Sequence, residues 1–134
     1  MRTLVIGDIH GGLHALHQVF ERANVNSKDK IIFLGDYVDG WSQSPQVLDF
    51  LIQLKTTNEC VFIRGNHDVL VLDWLTGNNK NINKEMWFMH GGEATAVAYD
   101  NVNKTTKNIH INFLQNLEDY HLDESNRLFI HAGF

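Results

Sequence analysis

Three short apolar runs, each closed by glycine beside a polar residue able to bind a cation and each followed by a helical pattern, constrain this chain more than any other feature of its 134 residues. Thr3 to Ile6 ends at Gly7-Asp8, and Leu13, Leu16 and Phe20 then recur at helical spacing to about Asn24. Lys30 to Leu34 repeats the run and ends at Gly35-Asp36. Ser44-Pro45 then caps a helix carrying Val47, Leu48, Leu51 and Leu54. Cys60 to Arg64 is the third run, closed by Gly65, with a helix from Asn66 to about Thr76 and a Gly77-Asn78-Asn79 stop. Three βα units in series predict an α/β fold with a parallel sheet and right-handed crossovers.

The pattern changes after that. Ile82 to Leu117 reads as a helical insertion with helices near Glu93–Tyr99 and Lys104–Leu117. Tyr120–Leu122 and Arg127–Ile130, on either side of Asp123-Glu124-Ser125-Asn126, read as two antiparallel strands opening a second sheet and ending at His131. No linker or low-complexity stretch divides residues 1–134, so one domain is expected, and 43% hydrophobic residues suffice for a core. A net charge of −5 argues against nucleic acid as a partner. The absence of a long apolar run argues against a membrane, and the single cysteine, Cys60, fits a reducing, cytoplasmic setting.

The strand ends carry Asp8 with His10, Asp36 with Asp39, and Asn66 with His67 and Asp68. They are separated by 28 positions from Asp8 to Asp36 and 30 from Asp36 to Asn66, about the ~30-residue repeat of a βαβ unit. Parallel sheets bind ligands at the carboxyl ends of their strands, so these residues should meet at one rim, where His131 could join them. Hydrolysing a phosphate ester there calls for two cations roughly 3.5–4 Å apart, holding a deprotonated water in line with the leaving group and joined by a shared carboxylate. Asp36 is the candidate bridge, with Asp8 and His10 on one side and Asn66 and His131 on the other. The mixed nitrogen and oxygen set suits manganese first, with iron or zinc as alternatives, over calcium.

Gly7-Asp8-Ile9-His10-Gly11, Gly35-Asp36-Tyr37-Val38-Asp39, Arg64-Gly65-Asn66-His67-Asp68 and His131-Ala132-Gly133 resemble, in order and spacing, the phosphoprotein-phosphatase branch of the calcineurin-like metallophosphoesterases. Trp87 to Glu93, with its glycine pair, resembles a further segment of bacterial members and of symmetrical diadenosine tetraphosphate hydrolases. The resemblance implies a four-layer α/β/β/α sandwich, of which this chain would be the N-terminal part. It implies one divalent metal on Asp8, His10 and Asp36 and a second on Asp36, Asn66 and His131. It further implies that His67 protonates the leaving oxygen, that Asp39 orients it, and that Arg64 binds phosphate. The substrate would be a phosphorylated protein or a small phosphoester.

Two departures stand out. The family pattern Val-Asp-Arg-Gly is Val38-Asp39-Gly40-Trp41 here, without the phosphate-gripping arginine. The family's domain also continues past the His-Ala-Gly strand to another metal-binding histidine, so the chain reads as C-terminally truncated, with a sheet edge inviting self-association into a homo-oligomer. Three functions stay open: a serine/threonine phosphatase-like monoesterase, a dinucleoside polyphosphate hydrolase, and a truncated metal-binding domain without activity. Asp68 reads either as a helix-dipole charge or as a partner to the site. His14, His17, His110 and His121 read as solvated or packed, His90 as a residue that could face substrate, and Trp41, Trp74 and Trp87 as core or rim packing.

Overall fold

The computed structural model describes residues 1–78 and 82–133, so Asn79 of the expected Gly-Asn-Asn stop lies outside the described residues. The chain runs β1 (Thr3–Ile6), α1 (Leu13–Arg22), β2 (Lys30–Phe33), α2 (Ser44–Leu54), β3 (Cys60–Phe62), α3 (Asn66–Thr76), α4 (Lys84–Trp87), a π turn (Phe88–Gly92), α5 (Glu93–Tyr99), α6 (Lys104–Gln115), β4 (His121–Leu122) and β5 (Leu128–Phe129). β1, β2 and β3 form a parallel sheet in that order, with Ile6 beside Phe33 and Phe33 beside Phe62. β4 and β5 form a separate antiparallel pair. The strands fall where the apolar runs predict them, β1 matching its run and the others one or two residues shorter because pairing stops where the loops turn away; α4 and the π turn are additions within the expected helical insertion.

Alternation along β2 sorts the layers. Ile31 and Phe33 point into the larger core, packing with Leu16 of α1, Leu48 and Leu51 of α2, Val71 of α3 and Phe113 of α6. Ile32 points the other way, into a smaller cluster with Val61, Ile63 and Phe129 of β5. The helices therefore cover one face of the parallel sheet and the hairpin lies against the other. Within the helical layer His110 is fully buried, accepting from the Tyr99 hydroxyl at 2.7 Å and donating to Asp49 at 2.7 Å, which ties α6 to α5 and α2. Of the two expected states, solvated or packed, His110 is packed.

The expected Ser44 cap is a correction. Ser44 is the first residue of α2, Gln43 occupies the capping position without a side-chain bond, and the Ser44 hydroxyl turns inward to Asp39. Pro45 suits the first turn, where its missing N–H has no helical partner. Among the described residues no helix is long and apolar enough to cross a membrane.

Arg2 clamps Asp29 with two hydrogen bonds, Nε to Oδ1 at 3.0 Å and Nη2 to Oδ2 at 2.8 Å, pinning the entry to β1 against that to β2. The guanidinium first, then the Asn26 backbone N–H, hold the Asp29 carboxyl down at about 2. A carboxyl lower in the folded than in the unfolded chain stabilises above its unfolded value, and that contribution disappears as acid protonates it. Native stability should fall as pH drops from about 4 to about 2. Urea midpoints measured across that window should show the fall flattened in Asp29→Asn.

Candidate metal centre and active site

The loops after β1, β2 and β3 are sewn together by their backbones. Ile9 and His10 donate to the Asp36 carbonyl at 3.0 and 2.9 Å, and Gly11 donates to the Tyr37 carbonyl at 2.8 Å. Asp68 joins the second loop to the third. Its fully buried carboxylate accepts from the backbone N–H groups of Asp36 (2.8 Å), Tyr37 (3.0 Å) and Gly65 (2.8 Å). Burial pushes the Asp68 carboxyl up to about 7, against those three bonds and with the Asp36 charge adding to the rise. Asp68 thus sits in the first turn of α3 and shapes the site as well.

Close approach decides Gly65. A Cβ there would fall on the carboxylate and backbone N of Asp36. Gly65→Ala should therefore destabilise by about 1–3 kcal/mol, the usual penalty for overpacking, and show as a lower thermal midpoint. His10, Asp36 and Asp39 have φ of 48°, 57° and 69°, a left-handed conformation that non-glycine residues seldom adopt. Among the described residues the other non-glycine cases are the turn asparagines Asn24 and Asn126.

These loops bring the expected ligands to one point. Asp8, His10 and Asp36 each offer a ligand atom, all within 4.8 Å of one another, and could hold a metal ion. Asp36 Oδ2 lies 3.6 Å from His10 Nε2 and 3.4 Å from His131 Nε2, and His131 Nε2 lies 3.1 Å from Asn66 Oδ1. A carbonyl only accepts, so His10 Nδ1–H donates to Val38 O at 2.9 Å and His131 Nδ1–H donates to Leu34 O at 2.8 Å. Nε2 of each ring is thereby turned toward carboxylate or amide oxygen, and without a proton it presents a lone pair there. Lone pairs facing lone pairs repel, and a cation among them removes the repulsion. The donor set fits a divalent metal on these grounds.

Beside it, His67 Nδ1–H donates to Asp39 Oδ2 at 2.8 Å, and the His67 ring lies edge-on to His10 at 5.0 Å. A cleft of about 400 Å³ adjoins His67, walled by Asn66, Leu70, Met86, Trp87 and His90. His90 therefore sits where it can face a ligand. Arg64 is engaged elsewhere: its guanidinium pairs with Asp119 and donates to the Leu117 carbonyl at 2.8 Å. Trp41 departs from expectation, being 71% exposed rather than packed, since its backbone N–H is spent on the His10 carbonyl and the loop turns the indole outward. Trp74 and Trp87 do pack, 5.3 Å apart. Thr95 and Ser44, both fully buried and bonded to Asp39, carry no sign of that role in the sequence: Thr95 lies 56 positions from its partner, and Ser44 stands beside Pro45 where a helix cap is expected.

The calcineurin-like phosphoesterase family model matches residues 1–133. The asymmetrical bis(5'-nucleosyl)-tetraphosphatase PrpE of Anoxybacillus flavithermus is 31% identical over 144 residues, covering 96% of this chain and 56% of that protein. The serine/threonine-protein phosphatase 4 catalytic subunit of Eremothecium gossypii is 39% identical over 66 residues, 48% of this chain and 21% of that one. The structure of a protein serine/threonine phosphatase from Saccharomyces cerevisiae superposes on 99% of this chain and 41% of its own, with a TM-score of 0.63 at 20% identity, a likeness of fold. The chain thus spans about half the length of the relatives that match it from end to end. With the family pattern running through its whole described length and the ligand residues gathered at one rim, the chain belongs to the calcineurin-like phosphoesterases.

Proposed function

We propose that this domain hydrolyses phosphate monoesters, in the manner of a serine/threonine phosphatase, at the cluster around Asp36. Two divalent cations, manganese in first place, would be held by Asp8, His10 and Asp36 and by Asp36, Asn66 and His131. The observation that carries the reading is the single oxygen, Asp36 Oδ2, that faces the Nε2 atoms of both His10 and His131. Cations bound there supply charge neutralisation for the phosphate oxygens and acidify a water to serve as nucleophile. His67, when both ring nitrogens carry protons, keeps the Nδ1 proton on Asp39 and gives the Nε2 proton to the leaving oxygen, and the cleft beside it receives the leaving group. Arg64 binds phosphate by exchanging Asp119 for it. That exchange is easy because the Asp119 side chain is 77% exposed and surface pairs contribute little.

A second reading, a dinucleoside polyphosphate hydrolase, is favoured by the relative that matches 96% of the chain under such a name. One assay separates the two. The purified chain with manganese is offered a phosphoserine peptide, 4-nitrophenyl phosphate and diadenosine tetraphosphate. The monoesterase reading requires chelator-sensitive phosphate release from the peptide. Nucleotide release from the tetraphosphate alone supports the second reading, with two ADP marking symmetrical cleavage and AMP plus ATP asymmetrical cleavage. Manganese binding without turnover of any substrate would leave a metal-binding domain and sink both.

A further inference from the structure

The segment from Asn83 to Tyr99 supplies no ligand to either proposed cation, yet its shape is explained by one carboxylate. Asp39 is fully buried, and its oxygens accept three side-chain hydrogen bonds: His67 Nδ1 at 2.8 Å and Trp87 Nε1 at 2.7 Å on Oδ2, and Thr95 Oγ1 at 2.6 Å on Oδ1. Two of the three donors come from this segment. In an unbroken α-helix, residues eight apart lie about 80° round the axis from one another. The break at His90 and Gly91, where φ is −101° and +102°, is what lets Trp87 and Thr95 both reach Asp39.

The glycine pair serves the same end. Gly91 lies against Gly40, whose N–H donates to the Gly91 carbonyl at 3.0 Å, and a Cβ on Gly91 would strike the Gly40 backbone. A Cβ on Gly92 would fall on the Trp87 indole, so that glycine seats the ring. The protons can be assigned throughout. The Asp39 N–H is shared between Thr95 Oγ1 (3.0 Å) and Ser44 Oγ (3.1 Å), the Thr95 hydroxyl donates to Asp39 Oδ1, and the Ser44 hydroxyl is left to donate to Thr95 at 3.3 Å.

We propose that Trp87 and Thr95 are positioning residues for protonation of the leaving group: they lock the Asp39 carboxylate so that it holds His67 in one tautomer and one orientation. The inference rests on His67 acting as the acid in the function proposed above. A carboxylate gripped only by the imidazole can swing about its Cβ–Cγ bond, and the imidazole swings with it. Held from behind on both oxygens, it cannot. The effect must then depend on how much the leaving group needs a proton: 4-nitrophenolate departs without one, whereas a serine alkoxide does not.

The test compares the manganese-loaded chain with its Thr95→Val, Trp87→Phe and Thr95→Ser variants on 4-nitrophenyl phosphate and a phosphoserine peptide. For Thr95→Val, kcat on the peptide should fall by roughly tenfold or more, with less than about twofold change on 4-nitrophenyl phosphate and KM held. Trp87→Phe, which also alters a wall of the leaving-group cleft, should lower the peptide kcat by more than the 4-nitrophenyl phosphate kcat. Thr95→Ser should restore the peptide rate. Equal losses on both substrates, or none on either, overturn the proposal. Should the unaltered chain hydrolyse neither ester, the monoesterase reading fails on its own, and imidazole ¹⁵N NMR of the metal-free chain decides the positioning claim. Observed above the imidazole titration, where the His67 ring carries one proton, that proton should sit on Nδ1 in the unaltered chain and be shared between both nitrogens in Thr95→Val and Trp87→Phe. An unchanged tautomer in those variants overturns it.

Discussion

Asp36→Asn is expected to reduce metal-dependent hydrolysis on the order of 10³-fold or more, because the loss of one preorganised electrostatic partner already costs about 10²–10³. The fold should survive. Asparagine can keep its carbonyl oxygen where Asp36 Oδ1 accepts the His67 backbone N–H at 3.0 Å, and turn its NH₂ toward His10 Nε2 and His131 Nε2. An amide donor there satisfies both imidazole lone pairs and displaces the cations. Metal analysis should show manganese content falling with activity while the thermal midpoint stays near that of the unaltered chain. A variant that keeps both its metal and its rate would show that Asp36 does not bridge.

His67→Asn should separate chemistry from metal binding. The ring is not among the proposed ligands, its backbone N–H still serves Asp36, and Asp39 keeps Trp87 and Thr95 as donors, so folding and manganese content should be retained. Turnover of a phosphoserine peptide should drop by roughly 10²–10⁴-fold, the usual worth of a positioned general acid. The loss on 4-nitrophenyl phosphate should be far smaller, since that leaving group departs without a proton. Steady-state kinetics on both substrates checks this, and equal losses would remove His67 from the acid role.

The βα units were legible because an apolar run followed by a helical period encodes burial within a few residues, and the strand-end positions of Asp8, Asp36 and Asn66 follow from topology alone. The rest of the site depends on contacts between residues far apart. Thr95 reaches Asp39 across 56 positions and Trp87 across 48, so neither has a neighbour in sequence that gives its role away. Ser44 stands beside Pro45 where a helix cap belongs, but a nearby buried backbone N–H competes for its hydroxyl. Arg64 follows β3 as a phosphate-binding residue would, while Asp119, contributed by the segment after α6, pairs with it in this structure. Trp41 differs from the packing expected of an indole because it lies in the polar, glycine-bearing loop Asp39-Gly40-Trp41-Ser42-Gln43, whose left-handed turn at Gly40 sends it outward.

The left-handed turns at His10, Asp36 and Asp39 bear on how fast a cation can arrive. Their strain is met when the chain folds, so the donors are already convergent and no segment has to rearrange on encounter. Loading should then be governed by how readily the incoming ion sheds its own water, quicker for manganese than for tightly hydrated magnesium. Stopped-flow mixing should accordingly show one concentration-dependent phase, without the saturating limb of a slow closure.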